Sequence, residues 1–101
     1  MTERPTSDAT RPVRAPYRST PLFDETTLPE ALRREHRTKA CVWGLIRVIE
    51  GRLRVTYLDP QGERIVTPAE PAVVEPEQPH FVEPLGPVRM QVDFYDAPPF
   101  A

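Results

Sequence analysis

Short runs of alternating apolar and polar residues, separated by turn residues, dominate the second half of the chain. The clearest run covers residues 52–58 and places three apolar side chains on one face, namely Leu53, Val55 and Tyr57. A period of two is typical of a strand with one buried face. Residues 59–62 (DPQG) have proline second and glycine fourth, which predicts a type I turn, and residues 63–67 are expected to return as the partner strand.

Other segments also have the composition of strands. β-Branched and aromatic residues fill residues 41–49, and shorter runs lie at residues 72–74, 80–85 and 88–95. Residues 18–23 are predicted as a first edge strand, because Pro21 is tolerated only where one side of a strand has no neighbour. Short strands with turn signals about every 8–12 residues are typical of an all-β sandwich or barrel.

One segment predicts a helix instead. Residues 24–37 contain Thr27 and Glu30 at the spacing of a capping box, with Pro29 in the first turn, where its missing N–H does no harm. Leu28 and Leu32 lie four residues apart on one face of this short helix.

Composition predicts one domain with short tails. Residues 1–16 contain a single large apolar residue, Val13, so we expect a disordered tail there. One domain is expected over residues 17–97, with a C-terminal tail over residues 98–101. The chain has 14 prolines, far above the usual share of about 5%. Two lie in the first dozen residues, and most of the others punctuate the second half, where they must lie in turns, strand starts or sheet edges.

Charge and cysteine content exclude several classes of protein. The formal net charge of −2, from 13 basic and 15 acidic residues, lacks the electrostatic footprint of a nucleic-acid-binding protein. The single cysteine, Cys41, excludes an intrachain disulfide. No apolar run approaches the roughly 20 residues of a membrane span, and the N-terminus lacks the apolar middle of a signal peptide. We therefore expect a cytoplasmic protein that contacts neither membrane nor nucleic acid.

Several stretches together carry a resemblance to a known family: residues 36–44 (HRTKACVWG), 48–51 (VIEG), 74–80 (VEPEQPH) and 92–95 (VDFY). In this order and spacing the chain resembles the YeaR/TehB-like domain, a small cupin-type module of bacteria that occurs alone or fused to a tellurite-resistance methyltransferase. The resemblance covers about residues 17–97. It implies an all-β, cupin-type double-stranded β-helix, a small antiparallel β-barrel, and a link to tellurite or related oxidative stress. No glycine-rich nucleotide loop is present, so methyl transfer is not expected.

The general cupin pattern fits this chain only in part. Its second motif ends in a histidine after a proline-containing turn, as His80 does after Pro76. Its first motif requires two histidines and a glutamate before a glycine, but counting back from Gly51 places Gly44 where the glutamate belongs. Only His36 lies nearby, so the metal-binding set of typical cupins is incomplete.

The two histidines are the candidate metal ligands. Imidazole commonly binds zinc, nickel or iron, and His36 and His80 can share such a divalent ion if a further group joins them. Asp93, Glu83 and Glu35 are the candidate third ligands, and a bound substrate is another. The competing interpretation is a pair of surface or hydrogen-bonded histidines.

Four further residues are candidates for binding a ligand. Lys39 and Arg47 supply positive charge for an oxyanion or carboxylate, although charges at strand edges also discourage edge pairing. Trp43 either lines a pocket or packs in the core. Asp93 lies on the polar face of the last strand, and alternation alone does not decide whether that face lines the pocket.

These observations predict a small cupin-fold domain that binds a small polar or anionic ligand, with or without a metal, and that forms a homodimer. Two other classes stay open. One is a metal-dependent oxygenase or isomerase, and the other is a non-catalytic interaction or sensor module.

Overall fold

The computed structural model describes residues 12–100. Its strands, in chain order, are β1 (Arg18–Ser19), β2 (Phe23–Asp24), β3 (Trp43–Glu50), β4 (Leu53–Leu58), β5 (Gln61–Val66), β6 (Ala72–Val74), β7 (His80–Pro84) and β8 (Arg89–Tyr95). Residues 1–11 of the predicted tail, and Ala101 at the other end, lie outside the described residues. The Val13 amide donates to the Pro99 carbonyl at 2.8 Å, which brings the two ends of the described chain together.

The strands form two antiparallel sheets, which confirms the all-β prediction. In the first sheet β1 and β2 both pair with β8, followed by β3 and β6; the second sheet has the order β5-β4-β7. No strand ladder among the described residues joins the sheets, so the prediction of a closed barrel is wrong. β6 has only three residues, and Pro71 before it and Pro76 after it lack the N–H that a longer ladder would need.

The β4–β5 hairpin is confirmed, but its turn differs from the predicted one. Along β4 the residues alternate between buried and half-buried, with Leu53, Val55 and Tyr57 on the buried face. Leu58 pairs directly with Gln61, so the loop is the dipeptide Asp59-Pro60, which has a cis peptide bond. The predicted type I turn over residues 59–62 is therefore replaced by a turn with a cis proline at its third position.

The predicted N-terminal helix does not form. Only a four-residue 3-10 helix, Glu30–Arg33, is present in this region. The turn before it is held by Asp24, whose carboxylate accepts the Thr27 amide at 2.9 Å while the Thr27 hydroxyl accepts the Asp24 amide at 2.8 Å. Pro29 ends that turn, because it has no N–H to donate and disfavours a helical Leu28.

The core lies between the sheets. The first sheet contributes Ile46, Val48, Val74 and Met90 among others, and the second contributes Leu53, Val55, Val66 and Val82. The Tyr57 hydroxyl reaches across and donates to the Val73 carbonyl at 2.8 Å, which ties β4 to β6. Within residues 12–100, no helix has the length and apolar character needed to cross a bilayer.

Candidate functional site

A cavity of about 300 Å³ lies between the two sheets. Its wall is apolar and comes from strands of both sheets: Ile46, Val74, Val82, Met90, Val92 and Phe94. On β8 the inward residues are therefore the apolar ones. This settles the orientation that alternation left open, because the polar face of β8 turns away from the cavity.

Gly44 leaves a gap in this wall. It lies on β3 directly between Phe94 of β8 and Val74 of β6, so the middle position of this inward row has no side chain. A Cβ atom placed there would lie 3.6 Å from the Val74 Cβ and 3.8 Å from the Thr38 Cγ2, which is ordinary van der Waals contact. A glycine inside a strand often marks a place where a ligand or another chain segment approaches closely.

His36 and His80 meet at this cavity. Their backbones form an isolated antiparallel bridge in which each amide donates to the other carbonyl at 2.9 Å. The two rings lie with centroids 4.1 Å apart and planes inclined by 55°. The structure thus brings together the two residues that the sequence proposed as metal ligands.

Backbone carbonyls orient both imidazoles. Nδ1 of His36 lies 3.0 Å from the carbonyl oxygen of Arg34, and Nδ1 of His80 lies 2.8 Å from that of Gln78. Because a carbonyl only accepts, Nδ1 is the protonated nitrogen in each neutral ring, which leaves the lone pair on Nε2. In its neutral form each ring is therefore held in the tautomer with an unprotonated Nε2.

His80 is neutral at physiological pH. Its residue is 3% exposed, and this burial lowers the pKa of the imidazole from 6.5 to about 4. The nearby His36 lowers that pKa further, while the hydrogen bond to the Gln78 carbonyl opposes the shift. The interior end of the cavity consequently carries no positive charge from this residue.

The described residues supply no third protein ligand for a metal. Across residues 12–100, no three His, Cys, Asp or Glu residues are placed together to hold an ion. Glu35 forms an ion pair with Arg37 at 3.4 Å, and Glu83 forms one with Arg54 at 3.0 Å. Two imidazoles alone do not make a closed structural site, which takes four ligands in the case of zinc.

Cationic side chains border the cavity. Of the predicted ligand-binding residues, Lys39 lies in the lining, together with Arg18 from β1 and Arg37 from the loop after His36. No carboxylate lies among the described lining residues. Arg18, Arg37 and Lys39 are all exposed, so the positive charge lies at the open side of the cavity.

Trp43, Arg47 and Asp93 do not line the cavity. Because Gly44 and Ile46 face inward, Trp43 and Arg47 lie on the outer face of the same strand. Asp93 is 4% exposed on that outer face, where it accepts the Arg47 Nε–H at 2.6 Å and the Ser19 hydroxyl at 2.7 Å. These three residues, which the sequence analysis proposed as ligand-binding, are thus not part of this cavity.

Sequence reasoning missed several lining residues. Gly44 belongs to a family stretch and stands where the cupin pattern has a glutamate, but neither feature predicts its place in the lining; a glycine in the middle of a predicted strand is the signal that could have found it. Thr38 links the loop to the turn after β6, since its hydroxyl accepts the Glu77 amide at 3.1 Å. Arg18 and Arg37 carried no signal, because nothing local distinguishes them from other surface arginines.

The sequence matches the TehB-like domain family over residues 18–92. The chain belongs to this family. The resemblance predicted from residues 36–44, 48–51, 74–80 and 92–95 is thereby confirmed. No curated protein sequence matches the chain.

Solved structures resemble this TehB-like domain over most of its length. TehB from Haemophilus influenzae gives a TM-score of 0.71 and 25% identity, covering 85% of this chain and 36% of the TehB chain. A protein from E. coli strain K12 gives a TM-score of 0.75 and 21% identity, covering 97% of this chain and 99% of its own. FeII HppE is similar in fold, with a TM-score of 0.56 and 16% identity over 73% of this chain and 40% of its own. The chain thus spans 36% of the TehB structure it matches.

Proposed function

We propose that this TehB-like domain binds a small anionic ligand in the cavity between its sheets. The observation that carries the proposal is the lining itself, in which Arg18, Arg37 and Lys39 stand at the open side and no described lining residue has a carboxylate. Glu35, which is outside the lining, contacts Arg37 at 3.4 Å. Cationic donors that converge on a concave site favour a carboxylate or oxyanion. The imidazole side chains of His36 and His80 add polar groups at the same cavity.

The proposal also includes a cupin-type fold. Two antiparallel sheets that enclose an apolar-walled cavity, together with the likeness to TehB, support a cupin-type arrangement that is open rather than closed. Under this proposal the domain is a cytoplasmic homodimer of bacterial origin, linked to tellurite or oxidative stress. A mass equal to one chain by sedimentation would contradict the dimer.

A divalent transition metal such as zinc, nickel or iron is the second candidate occupant. Its support is the adjacency of the His36 and His80 rings and their unprotonated Nε2 atoms. The described residues offer two ligands only, so a metal would depend on the bound molecule to complete its coordination. The iron named for HppE belongs to that protein, whose 16% identity supports the fold alone.

Two other functional classes predict different properties for this cavity. A metal-dependent oxygenase or isomerase requires an ion that stays bound during purification. A non-catalytic sensor or interaction module requires only that ligand binding changes the surface of the domain. Metal content and ligand binding, measured on the same sample, separate the two.

Binding of simple anions tests the proposed function. The full chain, labelled with ¹⁵N, is titrated with acetate, benzoate, phosphate and tellurite, and amide shifts are followed by NMR. We expect at least one anion to shift the amides of Thr38 and Gly44, and we expect Lys39→Gln or Arg37→Gln to weaken that binding about three- to tenfold. Arg54→Gln is the matched control, because Arg54 lies on the outer face of the second sheet. Shifts scattered over the surface, or equal weakening by the control, would contradict the proposal.

A further inference from the structure

The cavity differs in character between its open side and its interior. The cations at the open side come from β1 and from the loop over residues 36–39. The interior wall is formed by side chains that are almost wholly buried, with Ile46, Val74, Val82 and Met90 each no more than 3% exposed. This asymmetry suits a ligand that is charged at one end and mostly apolar along the rest.

From this asymmetry we propose that the ligand is an amphipathic monoanion, an apolar body with one acidic head group, which enters body first. The inference rests on the proposed function and names the class of its ligand. The head group lies at Arg18, Arg37 and Lys39, and the body packs against the interior wall. A bare inorganic oxyanion would leave that wall uncovered, and its charge cannot enter the wall without losing hydration.

Gly44 provides the space for the apolar body. Its neighbours in the inward row, Phe94 and Val74, both carry apolar side chains, so the gap between them is walled by hydrocarbon rather than by polar groups. Each methylene that enters such a site adds to affinity through removal of apolar surface from water.

The interior offers no partner to a second negative charge. The buried lining residues that the structure describes include no Lys or Arg side chain. A dianion with charges at both ends would therefore bury one of them unpaired, which is strongly unfavourable. The ligand class is thus limited to molecules with a single acidic end.

Three probes distinguish the contribution of the acidic head group from that of the apolar body. Octanoate, acetate and 1-octanol are each titrated into the full chain, and binding is measured by calorimetry or NMR. We expect octanoate to bind at least about tenfold more tightly than acetate, because its extra methylenes are buried. We also expect it to bind at least about threefold more tightly than 1-octanol, which lacks the charge. Acetate that binds as tightly as octanoate would overturn this inference and leave the proposed function standing. Octanol that binds as tightly as octanoate, or no binding by any probe, would overturn both.

Substitution of Gly44 locates the apolar body. Gly44→Ala adds one methyl at ordinary contact distance and is expected to weaken octanoate binding about threefold, while Gly44→Leu is expected to abolish it. Gly62→Ala on β5 is the matched control, since a Cβ there has nothing within 4 Å. The dispersion of the NMR spectrum shows that each variant is folded. Unchanged octanoate affinity in folded Gly44→Ala and Gly44→Leu would overturn the inference.

Discussion

His36 and His80 exchange both of their backbone hydrogen bonds and hold their rings with centroids 4.1 Å apart. The first of these residues lies in a loop and the second begins β7, so the bridge adds one residue of pairing to the free edge of the second sheet. Two imidazolium ions at this separation would repel each other. The pair therefore favours at most one positive charge, and burial decides that His80 is the neutral member.

Stability should fall as the pH falls from 6.5 to about 4, the range between the unfolded and folded pKa values of His80. In this range the unfolded chain takes up a proton on His80 and the folded chain does not, so protons favour unfolding. The full effect is on the order of 3 kcal/mol, of which about 2 kcal/mol separates pH 7 from pH 5. Urea unfolding at the two pH values measures it.

The control for this prediction isolates His80 from the other titrating groups. His80→Gln should remove about 2 kcal/mol of the difference between pH 7 and pH 5, whereas His36→Gln should retain most of it, because burial is the larger cause of the shift. An equal pH dependence in the wild-type chain and in His80→Gln would show that His80 titrates normally in the folded state.

A metal should be held weakly without a bound anion. Only two imidazoles are available among the described residues, so we expect dialysis against a chelator to remove added Zn²⁺ or Ni²⁺ completely. Elemental analysis before and after dialysis measures this, with His80→Ala as the variant that removes one ligand. Stoichiometric metal that survives dialysis in the wild type and is lost in His80→Ala would contradict the expectation and favour the metal enzyme.

Much of the strand content could be predicted from the sequence, because strand periodicity is a local property. The alternation along β4 and the β-branched run of β3 were visible without knowledge of partners. The predicted helix over residues 24–37 shows the limit of this reasoning. Thr27 does not cap a helix but exchanges hydrogen bonds with Asp24, and Pro29 ends the turn that they form. Closure of the barrel depends on pairing between distant edges, which no local pattern encodes.

From the sequence, His36, His80 and Lys39 could be placed in the candidate site, whereas Arg18 and Arg37 could not. His36 and His80 are the only two histidines of the chain, so the family resemblance pointed to both. Arg47 and Asp93 looked equally suited to a ligand, but the inward position of Gly44 and Ile46 turns them to the opposite face. Successive side chains of a strand point to opposite faces of the sheet, so an error of one residue exchanges the two faces. A strand can therefore be predicted correctly while its polar residues are placed on the wrong face.

Arg47 and Asp93 should matter for stability rather than for ligand binding. The Asp93 side chain is 6% exposed and that of Arg47 is 38% exposed, so removal of the arginine leaves a buried carboxylate that has lost its cation. We expect Arg47→Met to cost about 3 kcal/mol and Asp93→Asn about 1–2 kcal/mol, because Arg47 can remain hydrated. Chemical unfolding measures both. Neither variant should alter octanoate affinity, and a loss of binding in a folded variant would return these residues to the site.

The β3–β4 turn should tolerate no side chain at its glycine. Gly51 has φ +86°, a conformation that L-residues rarely adopt, and a Cβ there would lie 2.2 Å from the Pro87 carbonyl oxygen. Because that contact is with backbone, the clash can be relieved only if the β7–β8 turn moves. We therefore expect Gly51→Ala to lower the free energy of unfolding by about 2–4 kcal/mol. Gly62→Ala, with open space around the added methyl, should change it by no more than about 0.5 kcal/mol. Equal unfolding midpoints for the two variants would show that the turn adjusts freely. The close approach of Pro87 to Gly51 would then not constrain the packing of the two sheets.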